Sequence, residues 1–274
     1  MYDLHGKSAL VTGAAGEKGI GRAIAMRLAR EGANVAVVDM SLDGRGDWGG
    51  LPAVAAQIEE LGTGAIALQT DIRDEGQVSA MVDKTVSRFG RLDIIVNNAG
   101  APAGADRQPI VDVPVSEWDR IHEVNTRGTF LCSQAAARHM VARSGGGRII
   151  NISSSAGREG VARYGAYCAS KFAIIGLTQV LAKELGSVGI TANAICPGLT
   201  ETERLSGMAE GLKPEGVDVE TYRQELIANH AEQVPMGRIA QPEDVARTAA
   251  FLASDEAGYL SGLAVNVSGG AWLT

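Results

Sequence analysis

The chain has 274 residues, a length that fits one large domain or two small ones. Hydrophobic residues make up 45% and charged residues 21%, a balance typical of globular proteins that excludes a disordered chain. The formal net charge of −7 disfavours nucleic acid as a partner, because an acidic surface repels phosphate backbones. Aromatic residues are only 4% while Gly reaches 35 residues, which favours tight turns and buried parallel strands over an aromatic-rich β-sandwich.

Short apolar runs alternate with longer amphipathic segments along the chain. The predicted strands are Ser8–Gly13, Asn34–Asp39, Ala65–Asp71, Leu92–Gly100, Gly147–Ser154, Ile190–Gly198 and Leu263–Val267. The predicted helices are Ile20–Gly32, Pro52–Leu61, Glu75–Phe89, one opened by Ser116 with Asp119 as a capping-box acid, Tyr164–Gly186 and Pro242–Ser254. Near-continuously apolar strands that alternate with helices pair in parallel with both faces covered. We therefore predict an α/β fold, a doubly wound parallel sheet with helices on both faces, as a single domain over residues 1–274.

Two segments interrupt this alternation. Ser41–Gly50 is Gly-rich and predicts a surface loop, in which Trp48 has no evident role. Leu199–Pro235 is long, polar and only weakly helical in pattern. Because it follows the carboxyl end of a strand, where such sheets bind ligands, we predict a substrate lid over about residues 199–235.

The segment Thr12–Gly21, which joins the first strand to the first helix, predicts a dinucleotide site. Its glycines let the backbone approach a diphosphate, and a helix N-terminus offers N–H groups and positive partial charge. Asp39 closes the second strand about 20 residues later, where a carboxylate can accept hydrogen bonds from a ribose diol and repels a 2′-phosphate. This favours NAD over NADP. Lys18 leaves the choice open, because it could meet a 2′-phosphate or neutralise Asp39.

Tyr167 and Lys171 are four residues apart at the start of a predicted helix, so their side chains share one face. A nearby ammonium lowers the pKa of a tyrosine from its usual value of about 10 and makes the phenol usable as a general acid or base. Ser154, thirteen residues before Tyr167, could steady a substrate carbonyl oxygen. Asn125 falls inside a predicted helix and is either a buried amide tied to the backbone or part of a proton relay behind Lys171. Asp71 ends the third strand and either bonds an adenine amino group or caps a helix.

These motifs, in order and at this spacing, resemble the classical short-chain dehydrogenase/reductase family over essentially the whole chain. The matching segments are Thr12–Gly21, Asp71, Asn97–Gly100 (NNAG), Asn125, Asn151–Ser154 (NISS), Tyr167–Lys171 (YCASK), Pro197–Gly198, Pro235–Ser254 and Ser268–Gly270. The family's loop usually has three residues between its first two motif glycines, whereas five separate Gly13 from Gly19 here. The extra length leaves the contacts of the intervening residues open.

The resemblance implies a Rossmann-type fold and a role for each matched position. Tyr167 would be the general acid/base, and Lys171 would lower its pKa and bind the nicotinamide ribose. Ser154 would stabilise the substrate oxygen, and Asn125 would support a proton relay. The expected cofactor-binding residues are Gly13, Gly19, Ile20, Gly21, Asp39, Asp71, Ile72, Asn98, Ala99, Gly100, Tyr167, Lys171, Pro197, Gly198 and Thr202.

The predicted function is an oxidoreductase that transfers hydride between NAD(H) and a secondary alcohol or ketone. The alternative is a 3-oxoacyl-thioester (acyl-carrier-protein) reductase that uses NADPH, which Asp39 disfavours and Lys18 favours. Two other functions are disfavoured. A sugar-nucleotide epimerase usually has a larger C-terminal domain than this chain could hold. A catalytically inactive nucleotide sensor typically loses part of the serine–tyrosine–lysine set, which is complete here.

The remaining expectations concern metal, compartment and partners. Neither the four histidines nor the three cysteines have metal-ligand spacing, so we expect no metal. The odd number of scattered cysteines and the absence of a leader sequence favour the cytoplasm. No apolar run approaches the roughly 20 residues of a membrane-spanning helix, so no membrane partner is expected. The family resemblance implies a homotetramer with the helices over Asp119–Met140 and Tyr164–Gly186 and the last strand at its interfaces.

Overall fold

The computed structural model describes residues 2–44 and 46–273. Met1, Arg45 and Thr274 lie outside the described residues, so the predicted loop at Ser41–Gly50 and the predicted domain over 1–274 are assessed on the remaining positions. The strands are β1 Ser8–Thr12, β2 Asn34–Asp39, β3 Ala65–Gln69, β4 Ile94–Asn97, β5 Gly147–Ile152, β6 Ile190–Pro197 and β7 Ala264–Val267. The α-helices are α1 Ile20–Arg30, α2 Gly50–Glu60, α3 Glu75–Phe89, α4 Val115–His122, α5 Thr129–Arg143, α6 Gly165–Leu185, α7 Glu203–Leu212, α8 Val219–Gln233 and α9 Pro242–Ala253.

The strands form one parallel sheet in the order β3-β2-β1-β4-β5-β6-β7. The predicted doubly wound parallel sheet is confirmed, and each predicted strand is present, β2 at the predicted bounds and the others at shorter ones. The strand order reverses between β1 and β4, which lie side by side. In such sheets ligands bind beyond the carboxyl ends of the strands at this switch point. The loops after β1, β4, β5 and β6 therefore surround one crevice.

The core consists of two apolar layers, one on each face of the sheet. Side chains of neighbouring strand residues point to opposite faces, so Val11 belongs to one layer and Leu10 to the other. The first layer is closed by α1, α2 and α9, and the second by α3, α5 and α6. All five residues of β1 are buried, because both faces of the strand are covered.

The helical prediction around Ser116 is wrong in its cap and its continuity. Helix α4 begins one residue earlier, at Val115, with Pro114 at the N-cap. Ser116 therefore lies inside the first turn and cannot cap it. The predicted continuous helix over Asp119–Met140 is interrupted by a π-helical segment, Glu123–Gly128, between α4 and α5.

The predicted lid over 199–235 is more helical than its pattern indicates, since it contains α7 and α8. Helix α8 has no buried residue, so its sequence lacks the apolar periodicity on which the prediction depends. It begins where the Asp218 carboxylate accepts a hydrogen bond from the Thr221 N–H at 3.0 Å. Capping, rather than a buried face, marks this helix.

The expectation of no long apolar run is wrong for α6. By length and composition, the helical stretch Gly165–Val188, which is α6 and the turn after it, could cross a membrane, since an 18-residue window in it has a mean hydropathy of 1.2. Core helices of globular proteins pass the same test, and α6 joins β5 to β6 with Ile174 and Thr178 buried against the sheet. Its outer face carries Phe172 and Val180, which are 45% and 49% exposed.

Candidate active site

Glycines are needed in and just after the loop that follows β1, because neighbouring backbone lies too close for a side chain. A Cβ at Gly21 would lie 2.2 Å from the carbonyl oxygen of Gly13. A Cβ at Gly13 would lie 2.8 Å from Cα of Ala99, and its φ of +69° is in the left-handed region that favours glycine. A side chain at Gly21 would push α1 away from the loop, and a side chain at Gly13 would push the loop away from the residues that follow β4. These glycines therefore set the width of the crevice between β1 and β4.

Two side chains lock the glycine loop to the end of β4. The Thr12 hydroxyl accepts hydrogen bonds from the N–H groups of Asn98 and Ala99 at 3.0 and 3.1 Å. In return, Asn98 Nδ2 donates to the carbonyls of Thr12 and Gly13, both at 2.9 Å. The predicted residues Asn98 and Ala99 thus lie directly against the loop. The role of Thr12 was missed, because a threonine at a strand end is common and indicates nothing by itself.

Asp39 and Trp48 hold one residue of the loop, Ala15, from two sides. Asp39 Oδ2 accepts a hydrogen bond from the Ala15 N–H at 3.1 Å, and Trp48 Nε1 donates to the Ala15 carbonyl at 2.7 Å. The Arg22 guanidinium carbon lies 5.4 Å from the centroid of the Trp48 ring. Trp48, for which the sequence indicated no role, therefore closes the outer side of the loop next to Asp39.

The donor set of this loop fits the diphosphate of a dinucleotide. Gly19 is the N-cap of α1 and has no side chain to satisfy the N–H groups of the first turn. The Lys18 N–H donates to the Glu203 carboxylate at 2.9 Å, and a Cβ at Gly16 would lie 3.4 Å from the other oxygen of that carboxylate. An anionic group thus already lies on the loop. Backbone N–H groups at a helix N-terminus bind phosphate oxygens in the same way.

Asp71 lies after β3 with its carboxylate facing Arg73. Arg73 Nη2 donates to Asp71 Oδ2 at 2.6 Å, and this hydrogen bonding lowers the pKa of Asp71 below its usual value. The helix-capping alternative for Asp71 is wrong, because Asp74 caps α3 by accepting from the Gln77 N–H at 2.9 Å. Ile72, the next predicted contact, is buried beneath Gly128.

Tyr167, Lys171 and Ser154 come together at the start of α6. Lys171 Nζ lies 5.7 Å from the centroid of the Tyr167 ring and donates to the Ile152 carbonyl at 2.8 Å. Ser154 lies close enough to the Tyr167 phenol for its hydrogen-bonding interaction to lower the pKa of that phenol. Neighbouring Ser153 points elsewhere, since its hydroxyl donates to the Lys171 carbonyl at 2.9 Å. The structure thus brings together the three side chains that the sequence predicted.

The pKa of Tyr167 lies below its usual value. Burial by itself would raise it, but Lys171, Arg204, the Ser154 hydrogen bond and Arg107 together outweigh burial, in that order of size. Burial and the nearby Arg204 also lower the pKa of the Lys171 ammonium, while the Tyr167 phenolate opposes this change. A phenol with a lowered pKa can exchange a proton with a substrate closer to neutral pH.

Two arginines that sequence reasoning missed flank the phenol ring. The guanidinium carbons of Arg107 and Arg204 lie 4.6 and 5.3 Å from the centroid of the Tyr167 ring. Arg107 follows β4 and Arg204 lies in the first turn of α7, both inside segments that such a sheet places near a ligand. No spacing to Tyr167 marks them in the sequence. Only the fold reveals them.

Asn125 lies in the π-helical segment with both ends of its amide engaged. Its Oδ1 accepts from the Ala101 N–H at 2.8 Å, and its Nδ2 donates to the Ser170 hydroxyl at 2.9 Å. Ser170 in turn donates to the Tyr167 carbonyl at 2.8 Å. The amide is buried and hydrogen-bonded, as the first alternative describes, and its part in a proton relay stays a prediction. It connects the loop after β4 to the first turn of α6.

The other predicted residues border the same crevice. A Cβ at Gly100 would lie 3.3 Å from Asn125 Oδ1 and 3.9 Å from Lys171 Nζ. Pro197 ends β6, and the Gly198 N–H donates to the Val267 carbonyl at 3.0 Å. Thr202 is the N-cap of α7, directly before the Glu203 carboxylate that lies on the glycine loop. The loop after β6 therefore reaches across to the loop after β1.

Comparisons with known proteins show to which family the chain belongs. A family model described as "Enoyl-(Acyl carrier protein) reductase" matches residues 13–271. The sorbitol dehydrogenase of Cereibacter sphaeroides is 40% identical over 272 residues, covering 99% of this chain and 99% of that protein. This chain belongs to the classical short-chain dehydrogenase/reductase family.

Other short-chain dehydrogenase/reductases match over nearly the same length. The 3-oxoacyl-(acyl-carrier-protein) reductase FabG of Staphylococcus aureus is 38% identical over 267 residues, covering 97% of this chain and 98% of that protein. The crystal structure of NAD⁺-bound xylitol dehydrogenase is 32% identical, with a TM-score of 0.83 and coverage of 97% of this chain and 99% of that one. Membership in the family makes the protein an oxidoreductase that uses a nicotinamide cofactor.

Proposed function

We propose that this short-chain dehydrogenase/reductase interconverts a secondary alcohol and the matching ketone with NAD(H), and that Tyr167 is its general acid/base. The observation that carries the proposal is the position of the Tyr167 phenol next to both Ser154 and the Lys171 ammonium, which lower its pKa. In alcohol oxidation, the Tyr167 oxygen takes the hydroxyl proton. In ketone reduction, the same oxygen returns it. Ser154 donates a hydrogen bond to the substrate oxygen and orients it.

The bound nicotinamide would accept the hydride from the alcohol carbon or return it to the ketone. The loop after β1, with Gly13, Gly19 and Gly21, would hold the diphosphate. Asp39 would accept hydrogen bonds from the adenosine ribose, and its carboxylate would repel a 2′-phosphate. Lys171 would bind the nicotinamide ribose. Asn125 would be a positioning residue, because its hydrogen bond to Ser170 fixes the first turn of α6 and thereby orients Tyr167.

The second candidate is a 3-oxoacyl-thioester reductase that uses NADPH. The 38% identity to FabG of Staphylococcus aureus favours it, as does the description of the matching family model. The carboxylate of Asp39 beside the glycine loop speaks against it, because a 2′-phosphate there would face like charge. The exposed Lys18 could offset that repulsion.

Initial rates distinguish these candidates. The purified protein is assayed with secondary alcohols and polyols against NAD and NADP at equal concentration, and with a 3-oxoacyl thioester against NADH and NADPH. We expect alcohol oxidation with NAD to have the highest kcat/KM. A kcat/KM with NADPH and the thioester that exceeds it would establish the second candidate. Absence of turnover with every pair would refute both.

We further propose a homotetramer in the cytoplasm and a substrate lid formed by α7 and α8. Support for the assembly comes from apolar side chains on the outer faces of α5 and α6, where Phe130 and Val141 are each 42% exposed beside the exposed Phe172 and Val180. A second copy of this chain would cover them with a matching face. Light scattering at micromolar concentration tests this, and a monomer at that concentration would refute the assembly.

A further inference from the structure

Two guanidinium groups meet at the active-site phenol from different parts of the chain. Arg107 stacks on the ring of Tyr164, with its guanidinium carbon 3.7 Å from the ring centroid, and reaches the Tyr167 ring as well. Arg204 approaches the Tyr167 ring from α7. The Arg107 side chain is only 13% exposed. Both guanidinium groups therefore lie against the active-site phenol.

Several N–H groups of this pair are buried without a partner. Within residues 2–44 and 46–273, Arg107 Nη1 and Arg204 Nη2 have no hydrogen bond. Arg107 Nε also has none, and it contacts Asp106 Oδ2 only as an ion pair at 3.4 Å. Buried donors of charged groups are normally satisfied, because leaving them unpaired costs free energy. These donors indicate a ligand with acceptor atoms.

The positive charge around the pair also favours a bound anion. Asp106 opposes Arg107, but Asp106 Oδ1 accepts from the Gly104 N–H at 2.9 Å and lies 3.9 Å from Arg120. Arg204 and Lys171 bring two further positive charges to the same phenol. Burial and the charge of Arg204 lower the pKa of Arg107, although Asp106 opposes this change. Guanidinium groups that repel each other in this way are held together by carboxylate or phosphate oxygens.

We propose that Arg107 and Arg204 form a binding site for an anionic group of the substrate, so that the substrate is an acidic hydroxy or keto compound. This inference rests on the proposed function, since it names the substrate class of the same site. The carboxylate or phosphate lies between the two guanidinium groups, and the carbonyl or hydroxyl oxygen lies between Tyr167 and Ser154. The acidic group is therefore only a few bonds from the reacting carbon. Its binding fixes the substrate for proton transfer.

The other possible source of the anion is the cofactor diphosphate, because Arg204 follows Glu203, which lies on the glycine loop. The two sources give different kinetics. If the arginines bind the substrate, replacing one of them changes the preference between charged and neutral substrates and leaves the KM of the cofactor unchanged. If they bind the diphosphate, the replacement raises the KM of the cofactor and leaves that preference unchanged.

The test uses matched pairs of carbonyl compounds with NADH. The pairs are the 2-, 3- and 4-oxo acids, each with its methyl ester, and dihydroxyacetone phosphate with dihydroxyacetone as the phosphate arm. Arg107→Gln, Arg204→Gln and the charge-preserving Arg107→Lys are compared with wild type. Arg138→Gln on the exposed face of α5 is the control for the loss of one positive charge. Thermal unfolding reports whether each variant is folded. If only one of the two glutamine variants folds, that variant is enough for the test.

We expect at least one charged compound to exceed its neutral partner about tenfold or more in kcat/KM. Either glutamine variant should reduce that ratio by about tenfold to a hundredfold, Arg107→Lys should reduce it less, and Arg138→Gln should not change it.

Equal kcat/KM within every pair would overturn the inference while leaving the proposed function intact. A ratio that the variants do not change, with a raised KM for NADH, would also overturn it. If no pair turns over, calorimetric titration of the NADH complex decides, and charged compounds that bind no tighter than neutral ones refute the site.

Discussion

Replacing Gly21 by alanine tests whether the crevice depends on the close contact between α1 and the glycine loop. The added Cβ would lie 2.2 Å from the Gly13 carbonyl oxygen and 2.6 Å from Asn98 Nδ2. Both atoms are fixed, because they share a hydrogen bond of 2.9 Å. The backbone or the amide must therefore move, and the hydrogen bond between them is lost or weakened.

The magnitude follows from three contributions. Overpacking of this kind costs about 1–3 kcal/mol. Loss of the Asn98 hydrogen bond costs about 1 kcal/mol. The preference of helices for alanine over glycine returns about 1 kcal/mol. The net loss in the free energy of unfolding is therefore about 1–3 kcal/mol, together with weaker NADH binding because the loop is displaced.

Gly207→Ala in α7 is the matched control. Nothing lies within 4 Å of its added Cβ, so only the helix preference acts. We expect that variant to be more stable than wild type by about 1 kcal/mol. Urea unfolding monitored by circular dichroism and fluorescence titration with NADH measure both effects. Gly21→Ala with wild-type stability and wild-type NADH affinity would refute the reasoning.

Three further substitutions test other parts of the site. Arg204→Gln removes a cation that lowers the pKa of Tyr167, so the rise of kcat/KM for alcohol oxidation with pH should move to higher pH. An unchanged pH profile of kcat/KM would contradict this. Asn125→Ala leaves the buried Ala101 N–H without its partner and should cost about 1–3 kcal/mol in urea unfolding, whereas a loss below about 0.5 kcal/mol would show that the amide matters little. Asp39→Asn removes the charge that opposes a 2′-phosphate, so the NAD/NADP ratio of kcat/KM should fall by about tenfold or more, and a constant ratio would show that specificity lies elsewhere.

The sequence predicts the sheet well because every strand is buried on both faces, so apolar runs and intervening glycines mark it directly. β1 and β2, for example, were found within a residue of their bounds. The serine–tyrosine–lysine set was also predictable, because a helical spacing of four residues and a short strand-to-helix connection define it locally.

The features that the sequence did not predict depend on tertiary contacts. The π-helical segment at Asn125 has no residue signature, because its backbone bonding is imposed by packing between the loop after β4 and α6. Arg107, Arg204 and Trp48 acquire their roles only when distant segments fold over the crevice. A solvated arginine and a buried, unpaired one look alike in a sequence.

The most direct test of the account is the turnover of Tyr167→Phe beside Tyr164→Phe. Both changes remove one hydroxyl from tyrosines whose ring centroids are 6.3 Å apart, so they are closely matched. We predict that Tyr167→Phe lowers kcat by about a hundredfold or more while thermal unfolding shows that the variant is folded. Tyr164→Phe should stay within a few-fold of wild type. Undiminished turnover in Tyr167→Phe, or an equal loss in both variants, would contradict the assignment of Tyr167 as the proton-transferring group.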